Sequence, residues 1–115
     1  TNPLAIGYFG ASTGAAAALQ AAATLGSAIT AVVSRGGRPD LAGAALAQVS
    51  APTLLIVGGE DHVVIDLNRQ AYARLQGEKQ FVIVPGATHL FEEPGTLEEV
   101  ARLASQWFVT HLKLS

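Results

Sequence analysis

An apolar run, Leu4-Ala5-Ile6-Gly7-Tyr8-Phe9, passes directly into Gly10-Ala11-Ser12-Thr13-Gly14 and then into an alanine-rich stretch from Ala15 to Thr24. A strand-like segment, a turn of small residues and a helix-like segment therefore follow one another without a spacer. The turn has the spacing G-x-S-x-G, which in this context sets a serine on a sharp strand-to-helix bend. Gly10 and Gly14 are expected to flank Ser12 because so tight a bend leaves room only for small residues. Backbone N–H groups at the start of the helix can hold an oxyanion. The pattern predicts acyl-transfer chemistry, with Ser12 as nucleophile and the N–H of Thr13 as oxyanion donor. The box alone leaves another reading open, a tight turn that carries a serine incidentally.

Three further β-rich runs follow, Ile29–Ser34, Thr53–Val57 and Gln80–Val84. Like Leu4–Phe9, each reads as apolar on both faces, the pattern of strands in a parallel sheet covered by helices. Helix-like segments alternate with them: Thr13–Leu25, about Asp40–Val49, Ile65–Leu75 and Thr96–Leu112. Asp40 after Pro39 is the expected N-cap of the second. Gly77 is the expected stop of the third. Thr96 and Glu99 have capping-box spacing at the start of the fourth. In that helix Leu97, Val100, Leu103, Ala104, Trp107 and Phe108 form a stripe of helical period, with Trp107 read as core. Alternation of strand and helix predicts an α/β fold with a four-stranded parallel sheet and flanking helices, in one domain over residues 1–115.

Composition narrows the function. The net charge is −2 with no cluster of Lys or Arg, which argues against nucleic-acid and anionic-membrane partners. No apolar stretch approaches the roughly 20 residues of a membrane span. The absence of cysteine removes disulfides, thiolate catalysis and zinc–sulfur sites together. No signal-peptide pattern opens the chain, so a cytoplasmic location is the expectation.

The informative polar residues all fall just after a strand-like run: Ser12, then Glu60-Asp61-His62, then His89. Ligands in open parallel sheets bind beyond the carboxyl ends of the strands. A serine nucleophile needs a base to take its proton, and the base needs a carboxylate to fix its tautomer. His89 is the expected base and Asp61 the expected acid, with Glu60 as the fallback. Adjacent side chains diverge, so Glu60, Asp61 and His62 are not expected to hold a metal. His62 is expected at a rim or in solvent. His111, near the end of the last helix, suits a structural role as a cation at a helix C-terminus.

The chain resembles the C-terminal half of an α/β-hydrolase, most closely the dienelactone-hydrolase-like branch. The resemblance rests on Gly7 to Gly14, on Ala-Val-Val-Ser-Arg-Gly-Gly from Ala31 to Gly37, on Pro52 to Gly59, and on Pro85-Gly86-Ala87-Thr88-His89-Leu90-Phe91. It covers essentially the whole chain but half of the family fold. The order Ser12, Asp61, His89 is that of the family triad. The resemblance implies hydrolysis of a small-molecule ester without a cofactor or metal. Dienelactone hydrolases use a cysteine nucleophile, so their lactone specificity does not carry over to a chain with serine. The family's first four strands and one oxyanion donor have no counterpart here. A half-fold of this kind is expected either to be a fragment or to complete itself as a homodimer or larger assembly through the edge of its first strand. The rival function is a non-catalytic or impaired half-domain serving as an assembly module. An amidase or peptidase on the same residues is a third reading.

Overall fold

The computed structural model describes residues 6–11 and 13–112. Ser12 lies outside the described residues. Four strands form one parallel sheet in the order β1-β2-β3-β4, with β1 over Ile6–Ala11, β2 over Ile29–Arg35, β3 over Thr53–Gly58 and β4 over Lys79–Val84. Helix α1 spans Thr13–Leu25, α2 spans His62–Arg74 and α3 spans Thr96–His111. This is the α/β architecture that the sequence predicts.

The strand order advances in one direction, so crossovers of one hand must stay on one face. They do. Leu19 of α1, Leu46 of the second crossover and Ala71 of α2 share a buried cluster with Val32 and Leu55. The opposite face packs Ala31, Val33, Leu54 and Ile56 against Val100, Ala104 and Trp107 of α3. The alanines at 15, 16 and 22 let α1 lie close to the sheet, and all three are buried. Leu54, Leu55, Ile56 and Val57 of β3 are sealed on both faces. Burying each such side chain contributes about 1.5–3 kcal/mol. The Trp107 indole N–H donates to the carbonyl of Pro52 at 3.2 Å, so the core reading of Trp107 stands with its polar atom satisfied.

Several local expectations are corrected. The edge strands are not apolar on both faces: Gln80 is exposed on β4, and Phe9 on β1 is half exposed. The second crossover is not an α-helix. Residues Pro39–Gln48 form two 3-10 turns joined at Gly43, whose φ of 58° breaks the helical path. Asp40 does not cap it. The Asp40 carboxylate instead accepts from Nε and Nη2 of Arg38 at 3.0 and 2.9 Å, a fork that competes with capping. Helix α2 begins at His62, three residues early, and ends at Arg74 before Gly77 is reached. Gly77 has a different use, since a Cβ there would come within 2.8 Å of the Ser50 carbonyl. At α3 the N-cap is Gly95, and Glu99 pairs with Arg102 rather than closing a capping box.

Candidate active site

Asp61 and His89 both stand beyond the carboxyl end of the sheet. Asp61 follows β3 and precedes the first residue of α2. His89 lies in the connection between β4 and α3. The Nδ1 of His89 is 2.8 Å from Oδ2 of Asp61, with Asp61 largely buried and His89 partly open to solvent. A carboxylate only accepts, so this contact sets the proton on Nδ1 and leaves Nε2 as the proton-accepting ring nitrogen. Glu60 is exposed, and its backbone N–H donates to the Ala87 carbonyl at 3.0 Å. Of the two adjacent acids, Asp61 is the one that meets the imidazole.

Backbone contact brings the two loops together. Gly58 ends β3 directly under the His89 connection, where a Cβ would come within 2.8 Å of the Thr88 carbonyl. Gly36, the residue after β2, has φ +54°. A Cβ on it would come within 3.2 Å of the His89 carbonyl and 3.5 Å of Nδ1. The His89 loop thus reaches from β4 across the end of β3 to the end of β2, the neighbour of β1. The Ser12 position follows β1 directly. Gly10 is crowded separately by the start of α1, since a Cβ there would come within 2.6 Å of the Gly14 carbonyl and 2.7 Å of the Ala15 nitrogen. At Gly14 a Cβ would meet nothing within 4 Å among the described residues. Thr13 is the exposed first residue of α1.

The loop that carries His89 is itself tied. The Glu93 carboxylate accepts from the Thr88 N–H at 3.0 Å and from the Thr88 hydroxyl at 2.8 Å. These two bonds, the N–H first, hold the Glu93 carboxyl below the ordinary range. The Phe91 N–H donates to the Thr88 carbonyl. The Thr96 hydroxyl is shared between the carbonyls of Phe91 and Glu93. Phe91 is fully buried, has φ +55°, and carries the Arg35 guanidinium 5.5 Å from its ring centre. The sequence gives little warning of this network, because Thr88 and Glu93 are ordinary loop residues at a spacing with no period. The paired glycines Gly58-Gly59 do signal a close backbone approach.

The other two histidines lie elsewhere. His62 is exposed at the start of α2. His111 is mostly buried, meets the Trp107 ring in a tilted contact with centroids 4.3 Å apart and lies 3.5 Å from the Glu78 carboxylate. A cavity of about 310 Å³ beside it is lined by Leu54, Gln80, Leu103 and Trp107, at the opposite end of the sheet from His89. Among the described residues no three His, Cys, Asp or Glu side chains converge as a metal site, and no helix is long and apolar enough to cross a membrane.

The fold and sequence have close counterparts. A dienelactone hydrolase from Anabaena variabilis is 62% identical with a TM-score of 0.92, and the match covers 93% of this chain and 50% of that one. Proteins from two strains of Mycobacterium tuberculosis, provisionally named phosphoribosyl transferase, are 65% identical over 112 residues. That match takes in 97% of this chain and 25% of theirs. The chain therefore spans about half the length of the Anabaena protein and a quarter of the mycobacterial ones. The esterase domain of a Rhodothermus marinus protein shares the fold at 21% identity, with a TM-score of 0.79 over 93% of this chain and 61% of that one. Residues 1–112 match the dienelactone hydrolase family, and the chain belongs to it.

Proposed function

We propose that this chain carries the reacting residues of a serine hydrolase of the carboxylesterase type, acting on short acyl esters. The observation that supports the reading most is the 2.8 Å pairing of Asp61 with His89 at the carboxyl end of the sheet. It gives the imidazole the tautomer that a general base for Ser12 requires. In this reading the Ser12 hydroxyl attacks the acyl carbon while Nε2 of His89 takes its proton. The Thr13 N–H receives the developing oxyanion. His89 then protonates the departing alcohol, and Asp61 stabilises the imidazolium formed in between. Water repeats the sequence on the acyl-enzyme and releases the acid. The name phosphoribosyl transferase belongs to proteins of which this chain spans a quarter, and nothing in the Asp61–His89 geometry calls for phosphoribosyl transfer.

Association is part of the same proposal. Among the described residues β1 is hydrogen-bonded to β2 alone, and a second copy along its free edge would extend the sheet.

A fluorophosphonate probe tests the chemistry. The expected result is a covalent label on Ser12, located by peptide mass spectrometry, together with turnover of p-nitrophenyl acetate. Ser12→Ala should lose the label and at least roughly 10³-fold of the rate. Absence of both label and turnover would favour the non-catalytic assembly module instead.

A further inference from the structure

We infer that Glu93 is a positioning residue for His89, acting through Thr88. This rests on the proposed role of His89 as base. Thr88 is the residue immediately before His89, and both of its hydrogen-bond donors are held by one carboxylate, the N–H at 3.0 Å and the hydroxyl at 2.8 Å. Glu93 is fixed in turn, because its own carbonyl accepts from the Thr96 N–H at 3.1 Å and from the Thr96 hydroxyl at 2.7 Å. Thr96 opens α3 and is buried, so the bracket is anchored to a packed helix. Phe91 closes the circuit. Its N–H donates back to the Thr88 carbonyl, its carbonyl takes the Thr96 hydroxyl, and its ring is buried against the sheet.

The circuit has a geometric purpose that packing alone does not supply. The loop is exposed on either side of Phe91, with Leu90 and Glu92 both in solvent. Buried Ala87 and Phe91 pin the two ends of the stretch that holds Thr88 and His89, and leave rotation about the line between them. The bidentate bracket removes that rotation at the residue joined to His89. A base must be held to within a fraction of an ångström of its productive position. A non-glycine residue at positive φ, as at Phe91, persists only where its surroundings over-determine it. The hydrogen bonds through Glu93 and Thr96 provide that constraint.

The test compares Glu93→Ala and Glu93→Gln in the 115-residue chain by two readouts. The first is the hydrogen-exchange rate of the His89 Nδ1 proton by NMR, with the resonance assigned through Asp61→Asn. The second is the kcat and KM for p-nitrophenyl acetate. In Glu93→Ala the proton should exchange at least about tenfold faster, because the contact with Asp61 opens more often. The kcat should fall roughly 10- to 100-fold with KM little changed. Glu93→Gln keeps one acceptor oxygen and should recover part of both losses. Should Glu93→Ala fail to fold, Thr88→Val, which removes only the hydroxyl bond, is expected to show the same changes at smaller size. Unchanged exchange in a folded Glu93→Ala overturns the inference. Faster exchange in a chain whose wild type neither labels nor turns over leaves the bracket standing and removes the hydrolase reading.

Discussion

Asp61 and His89 are 28 residues apart in the chain, yet Oδ2 of one lies 2.8 Å from Nδ1 of the other. The neighbouring Glu60 points its side chain to solvent and lends only its N–H to the Ala87 carbonyl. Replacing the two acids should therefore have unequal effects. Asp61→Asn presents an amide that favours the wrong imidazole tautomer, so the rate on p-nitrophenyl acetate should fall by up to roughly 10⁴-fold with the fold retained. Glu60→Gln should do far less. Circular dichroism checks the fold and steady-state kinetics the ranking. A larger loss in Glu60→Gln would move the acid role to Glu60.

The two readily compared glycines near the site should respond with opposite signs. A Cβ on Gly58 would press within 2.8 Å of the Ala87 carbonyl carbon and the Thr88 oxygen, both backbone atoms that cannot swing aside. Gly58→Ala should cost about 1–3 kcal/mol and displace the His89 loop, lowering the rate as well. A Cβ on Gly14 meets nothing within 4 Å among the described residues, and Gly14 lies in the first turn of α1. Gly14→Ala should raise stability by about 0.5–1 kcal/mol, the usual helix preference of alanine over glycine. Thermal melts of the two variants give the comparison. Equal destabilisation by both would show that the bend at Gly14 is as crowded as the one at Gly10.

These contrasts mark where the sequence was informative. The runs centred on Val32 and on Leu55 read as buried strands because each is apolar on both faces, and both are. Gln80 and Phe9 sit in similar runs, but sheet edges expose them, and edge position is a property of strand order that no local window contains. Asp61 and His89 were legible because the loops after parallel strands converge at one end of the sheet. Thr88 and Glu93 were not, since they pair across a loop whose course includes a positive φ at Phe91, which a bulky residue rarely adopts. Asp40 misled for a related reason: a cap-forming residue two positions from an arginine had a stronger partner.

Acid should release the His89 loop before it unfolds the sheet. The hydrogen bonds from Thr88 hold the folded-state pKa of Glu93 below its ordinary value of 4.5. A depressed carboxyl contributes stability that is complete above the unfolded value and is lost as pH falls through the folded one. The bracket should therefore stay closed through neutral and mildly acidic solution and open only below the range in which an ordinary glutamate takes up its proton. Following the Thr88 amide resonance from about pH 6 to about pH 3 tests the window, and in Glu93→Gln the transition should disappear. A Thr88 amide insensitive to pH over that range would show that the carboxylate contact does not persist in solution.

Among the described residues β1 is paired on one side only, and that edge should make this chain associate. The two outer strands of the described sheet, β1 and β4, differ in protection. β4 carries Lys79 and an exposed Gln80, polar residues of the kind that discourage edge pairing. β1 carries no charge from Ile6 to Ala11, and its Phe9 is half exposed. Two copies related by a two-fold axis would pair these edges antiparallel and join two four-stranded sheets into one. In the proposed mechanism such pairing would also bring a second chain close to the residue that follows β1, where it could offer a further oxyanion donor. Light scattering should give a mass at least twice that of one chain at micromolar concentration. Phe9→Lys, which puts a charge beside the edge, should return the monomer and lower the rate on p-nitrophenyl acetate. A stable monomer that labels and turns over at full rate would sink the association. A dimer that Phe9→Lys leaves intact would move it to another surface, with the exposed face of α1 the first to examine.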